Sequence, residues 1–124
     1  MTRTLALASC MLVWLAAFAQ AGTLTVVDGD TLRLNGERLR LIGIDAPETG
    51  HRAQCAHERL LGESAKRRLA QLIQGGVTLR YDGAGFYGRP LVHVHSPVWG
   101  YVNELLVREG FARRWPDGEE WWCE

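Results

Sequence analysis

The sequence predicts a mainly β domain with α, a small closed barrel of mostly antiparallel strands with helices packed against it. Three observations lead there. Apolar periodicity runs along the chain in the order strand, strand, strand, helix, strand, strand, helix. Asn35-Gly36 sits between two alternating runs, and both residues tolerate the positive φ of a tight hairpin turn. Few connections are long enough for parallel crossovers, and closing the sheet removes its exposed edges.

Taken in order, Thr23 to Val27 is β-branched and apolar until "DGD" breaks the run. "TLRL" (Thr31 to Leu34) and "ERLRLIGI" (Glu37 to Ile44) alternate with period two on either side of the Asn-Gly turn. From about Ala53 to Gln74 the period lengthens. Leu61, Ala65, Leu69, Leu72 and Ile73 make one helical stripe, and Gly75-Gly76 stops it. Lys66, Arg67 and Arg68 lie mostly off that stripe and read as a solvated face, with a nucleic-acid patch as the alternative. "VTLRY" (Val77 to Tyr81) and "PLVHVH" (Pro90 to His95) return to strand character across the glycine-rich "DGAGFYGR". His93 and His95 share one strand face, either as exposed strand residues or as paired metal ligands. A short helix with Val102, Leu105 and Leu106 on its apolar side stops at Gly110. The tail "RRWPDGEEWWCE" holds three tryptophans and is expected to pack on the body.

The first residues have a different character. Arg3, the apolar "LALASCMLVWLAAFA" and Ala19-Gln20-Ala21 have the layout of a secretory signal peptide over residues 1–21, cut after Ala21. The apolar part is too short to favour a permanent transmembrane helix, and lipidation at Cys10 is the alternative. The protein is therefore expected to be exported, periplasmic or secreted, with residues 22–124 as one domain near the lower size limit for an adequate core. Without Arg3 that domain carries 13 basic and 14 acidic residues. This excludes the global basic character of a non-specific nucleic-acid coat, so any anion must be bound by a local cluster. Cys55 and Cys123 remain as an even pair in an exported chain, which reads as a disulfide. Closing a loop of about 70 residues is worth roughly 4 kcal/mol in the chain-entropy model, a staple a small domain has reason to use.

"IDAPET", from Ile44 to Thr49, ends an apolar run with two carboxylates, Asp45 and Glu48, set around a proline. Pro47 keeps the piece out of a helix interior, and a plain surface turn would use the same residue types. Other charged residues gather at strand ends and turns. Asp28 and Asp30 flank Gly29, Arg40 lies five residues before Asp45, and Arg89 follows Tyr87-Gly88 just before the last long strand. Each has a bland reading: turn aspartates, an exposed Arg40 beside Arg38, an Arg89–Asp82 pair, an exposed loop Glu48.

Together, "VVDGDTLRL", "RLIGIDAPET", "YGRPLVHV" and "VNELLVREGFA" make the chain resemble the staphylococcal nuclease (thermonuclease) family, with the motifs in the family's order over most of residues 22–124. The resemblance implies a five-stranded oligonucleotide-binding barrel with packed helices. It implies calcium ligands at Asp30 and Asp45, with the backbone carbonyl of Ala46 as a third, where the family commonly has threonine. Arg40 and Arg89 match the two catalytic arginines, and Glu48 matches the catalytic glutamate. These roles make chemical sense. Calcium prefers hard oxygen ligands, two arginines grip one phosphate, and a placed carboxylate deprotonates the attacking water.

The expected activity is hydrolysis of phosphodiester bonds in DNA and RNA by an endonuclease leaving 3′-phosphate ends, with Ca2+ as cofactor. Nucleic acid is the substrate partner, and the protein is expected to be a monomer with no stable protein partner. The alternative is a catalytically silent nucleic-acid-binding domain on the same barrel, although such domains usually lose the acids and arginines kept here. Two departures stand out. Gly85 occupies the place of an acid two residues before the tyrosine of "YGR", and the prototype's third C-terminal helix has no counterpart after Trp115. The prototype's nucleotide-facing tyrosines fall on Pro116 and Gly118, which leaves Tyr87 as the substrate-binding ring, with Phe86 and Trp115 beside it. The resemblance to exported members ending in Trp-Cys implies that the Cys55–Cys123 bridge stands in for that helix.

Overall fold

Leu32 and Leu39 face each other across the first hairpin, both fully buried, and their register sets the rest of the sheet. The computed structural model describes residues 23–124; the expected signal peptide lies outside them. Strands β1 (Leu24–Asp28), β2 (Thr31–Leu34) and β3 (Glu37–Leu41) form an antiparallel meander. Asn35 and Gly36, at φ 51 and 83, make the tight turn expected of them. The alternating run expected to reach Ile44 breaks after Leu41. Gly43 takes φ 79, and the chain turns a corner into the two-residue strand β4 (Ile44–Asp45).

The helical stripe becomes α1 (Ala56–Leu72), which buries Ala65, Leu69 and Leu72 against the sheet. It starts three residues later than the periodicity suggests, because Gly50–Arg52 form a separate 3-10 turn and the Cys55 sulfur accepts the Glu58 N–H as N-cap. β5 (Thr78–Ala84) and β6 (Pro90–Ser96) pair antiparallel around a 3-10 turn at Phe86–Gly88. β7 (Gly100–Tyr101) pairs antiparallel with the end of β6, and α2 (Val102–Arg108) buries Val102 and Leu106. The last strand, β8 (Arg113–Arg114), pairs with β4. β4, β7 and β8 have only two residues each, too short for a periodic signal.

The strand order is β1-β2-β3-β6-β5. One neighbouring pair, β3 with β6, is parallel. Among the described residues no ladder joins β1 to β5, so the closed barrel expected from sequence is not closed by hydrogen bonds. α1 covers that edge instead. Leu24 and Val26 of β1 face Ala70 of the helix and its C-cap Ile73 across a groove of about 590 Å3. An edge can be protected by an overlying helix as well as by closure. No described helix is long and apolar enough to cross a membrane.

The corner between β3 and β4 is held from within. Asn103, 2 % exposed on α2, accepts the Val94 N–H at 2.9 Å and donates to the carbonyls of Ile42 (3.0 Å) and Val92 (3.1 Å). The tail packs as expected. Trp122 is 2 % exposed, its carbonyl lies 2.8 Å from His57 Nδ1, and Cys123 is bonded to Cys55.

Candidate active site

Three strand pairings bring the charged residues together. The β2–β3 register puts Thr31 opposite Arg40, so the arginine comes up beside Asp30 at the end of the hairpin. In the parallel pair Arg40 lies opposite Leu91; Arg89, two residues earlier, therefore shares a face with Arg40. The β4–β8 pairing then sets Asp45 opposite Arg113.

Asp30 is 4 % exposed beneath the surface. Its Oδ1 accepts the Thr31 hydroxyl at 2.8 Å, its Oδ2 accepts the Ala46 N–H at 2.8 Å, and Arg40 Nη2 is 3.7 Å away. Burial pushes its carboxyl above the usual carboxylate range, with Arg40 opposing. Gly29 permits this packing, because a Cβ there would lie 2.5 Å from the Ala65 Cβ and 3.0 Å from that of Ala46. Asp45 is held by two arginines. Arg40 Nη2 reaches its Oδ1 at 3.4 Å and Arg113 Nε its Oδ2 at 2.9 Å.

Two cavities meet at Asp45. The larger, about 590 Å3, is lined by Arg40, Asp45, Tyr87, Arg89, Arg113 and Trp115, among others. Arg89 forms no ion pair among the described residues. Asp82, its possible partner by sequence, pairs with His93 at 2.9 Å. Tyr87 takes φ 64 in the 3-10 turn, and its ring is 92 % exposed beside Phe86 at 88 %. The smaller cavity, about 200 Å3, is lined by Asp45, Ala46, Glu48, Arg52, Gln54, Glu58, Glu120 and Trp122. Glu48 is pushed up to about 7, first by burial and then by the charges of Asp30, Asp28 and Asp45, with Arg52 opposing.

The structure thus brings Arg40, Arg89 and Tyr87 to one cavity, Ala46 and Glu48 to the other, and Asp45 to both. Asp30 lines neither and supports them from below. Among the described residues no group of three or more His, Cys, Asp or Glu side chains stands at metal-holding spacing. The expected donors are the Asp30 and Asp45 side chains and the Ala46 carbonyl, all hard oxygens. That chemistry fits a hard divalent cation such as calcium.

Sequence reasoning passed over Arg113 and Glu58. Arg113 opens the tail segment and donates to the Gly118 carbonyl at 2.9 Å, and it lies against the Trp115 and Trp122 rings at 5.2 and 5.6 Å. Glu58 offered a readable signal as the residue three after an N-cap, the capping-box spacing. His93 and His95 are not paired toward a metal. His93 bonds Tyr101 and Asp82 through its two ring nitrogens, and His95 stacks on Tyr101. Arg68 of the basic trio pairs with Glu109 at 2.9 Å.

Paired arginines opening on a cleft beside clustered acids, on a five-stranded path covered by helices, define a domain suited to holding a phosphate-like anion. The family described as staphylococcal nuclease homologue matches residues 38–120, and the chain belongs to it. Among its relatives, an uncharacterized endonuclease of Escherichia coli O157:H7 is 34% identical over 92 residues, 70% of this chain and 55% of that protein. A micrococcal nuclease of Shigella flexneri is 30% identical over 125 residues, 89% of this chain and 67% of that protein. An endonuclease of Bacillus subtilis (strain 168) is 34% identical over 111 residues, which are 77% of this chain and 9% of that protein. The chain thus spans about half the length of the E. coli relative.

Proposed function

We propose that this protein is an exported, calcium-dependent endonuclease that hydrolyses phosphodiester bonds of DNA and RNA and leaves 3′-phosphate ends. In this reading residues 22–124 act as a single, monomeric nuclease domain after loss of residues 1–21. The sheet is then the family's oligonucleotide-binding barrel, opened along β1 and β5. The observation that carries the reading is the convergence of Arg40 and Arg89 on one cleft, whose Asp45 wall is shared with the cavity of Glu48.

Arg40 and Arg89 take the scissile phosphate. Their planar forks match its non-bridging oxygens and offset the charge that grows as phosphorus becomes five-coordinate. Asp30, Asp45 and the Ala46 carbonyl would hold the cation, which when bound supplies positive charge beside the phosphate. Glu48 takes a proton from the attacking water on a carboxylate oxygen. The new bond from that water oxygen to phosphorus forms as the bond to the 5′ oxygen breaks. The leaving 5′ oxygen takes its proton from solvent at the cleft mouth and departs as a hydroxyl. Burial beside other acids raises the proton affinity of Glu48 and so matches it to base chemistry near neutral pH. Tyr87 offers a ring face to a substrate base.

The test is digestion of denatured DNA and of RNA by the purified protein, with calcium or with excess chelator, followed by mass analysis of product ends. Hydrolysis with calcium alone and 3′-phosphate ends are expected. Full activity in chelator removes calcium from the proposal. Tight oligonucleotide binding without hydrolysis identifies a silent binding domain instead.

A further inference from the structure

Glu58 is a buried carboxylate that the reaction above does not use. It sits on the first turn of α1 with 3 % exposure, and no described Lys, Arg or His forms an ion pair with it. Such burial is unfavourable unless hydrogen bonds offset it. Here the partners are two backbone amides. Oε2 accepts the N–H of Glu48 at 2.9 Å, and Oε1 accepts the N–H of Gln54 at 2.7 Å. These amides bracket the loop that carries Glu48 away from β4 and back to α1.

One turn further along the helix, Gly62 touches the other side of the same residue. A Cβ at Gly62 would lie 2.8 Å from the carbonyl carbon of Glu48 and closer still to its oxygen. Positions 58 and 62 are neighbours on one helix face. One binds the N–H of Glu48, and the other leaves the room its C=O needs. The Cys55–Cys123 bridge anchors that same turn, since Cys55 is the N-cap of α1.

We propose that Glu58 and Gly62 form a backbone clamp that positions Glu48, so that its carboxylate faces the small cavity beside Asp45. The clamp rests on the assignment of Glu48 as general base, and it makes Glu58 and Gly62 positioning residues of the reaction. Glutamine at 58 keeps the size of the side chain but presents one of the two amides with an –NH2 group in place of an acceptor. Alanine at 62 displaces the Glu48 carbonyl, although Gly→Ala inside a helix ordinarily favours the helix.

The experiment is steady-state kinetics on a short oligonucleotide for Glu58→Gln, Gly62→Ala, Glu48→Gln and the double variant Glu48→Gln/Glu58→Gln, with folding checked by near-UV circular dichroism. Amide hydrogen exchange at Glu48 and Gln54 is measured alongside. Glu58→Gln is expected to lower kcat by about 10–100-fold, the scale of small misplacements of a reacting group, with KM little changed. Added to Glu48→Gln it should cost nothing further, because both changes then act through one group. Exchange at Glu48 and Gln54 should accelerate. Gly62→Ala should reproduce the kcat loss in a folded protein. The clamp is overturned if Glu58→Gln multiplies onto Glu48→Gln, if its loss appears in KM, or if Glu48 exchange is unchanged. A Glu48→Gln enzyme as fast as the parent defeats the base assignment, and the clamp's role with it. A slow Glu48→Gln enzyme with an additive Glu58→Gln effect defeats the clamp alone.

Discussion

Replacing Asn103 by leucine should unfold the corner on which the arginine cleft is built. The side chain is 2 % exposed and makes three bonds to backbone groups: Val94 N–H, Ile42 C=O and Val92 C=O. Leucine has nearly the same size and none of the polar atoms. The Val92 carbonyl keeps a partner, because it also accepts the Ile42 N–H at 3.0 Å. The buried Val94 N–H is orphaned outright, while the half-buried Ile42 C=O loses its Asn103 bond beside the open cleft. At about 1–3 kcal/mol for the orphaned amide and less for the carbonyl, the cost is about 2–4 kcal/mol. Total stability for a domain of this kind is about 5–15 kcal/mol, so the loss is a large share of it. Urea unfolding followed by tryptophan fluorescence should show the midpoint falling with an unchanged slope, and Tm should fall by about 10 °C or more. A loss below about 1 kcal/mol would mean that water or a small backbone shift rescues both groups, and the account of this corner would be wrong.

The remaining predictions concern the site and the staple. Glu48→Gln should lower kcat by about 100-fold or more, as expected for loss of a general base; a near-normal rate removes Glu48 from that role. Because Glu48 is raised from 4.5 to about 7 in the folded state, the folded protein holds this proton more tightly than the unfolded chain does. Its contribution to cation-free stability is therefore present below about pH 4.5 and lost as pH rises through about 7. Urea titrations in chelator across that window should show the decline, and Glu48→Gln should flatten it. Cys123→Ser should cost up to roughly 4 kcal/mol by opening a loop with a sequence separation of 68; equal stability of the variant and the parent would mean that the tail holds without its bridge.

What could be read from the chain had short-range causes. Asn35-Gly36 dictates a hairpin because both residues accept positive φ, and the stripe from Leu61 to Ile73 dictates a helix through its period. The resemblance singled out Asp30, Arg40, Asp45, Glu48 and Arg89; four of them line the two adjoining cavities and Asp30 lies beneath. Barrel closure is the sequence expectation for protecting sheet edges; in the structure α1 lies over the β1 edge instead. Arg113 on Asp45, Glu58 on Glu48 and Asn103 on Ile42 bridge sequence intervals of 68, 10 and 61 residues. No periodicity marks such pairs. By itself the sequence determined which residues could turn, alternate or coil, because those preferences lie in the dihedral angles of a few neighbouring residues. Only the tertiary structure decided which buried carboxylate meets which amide or arginine, because a hydrogen bond depends on distance and direction in space, and packing alone sets those across long stretches of chain.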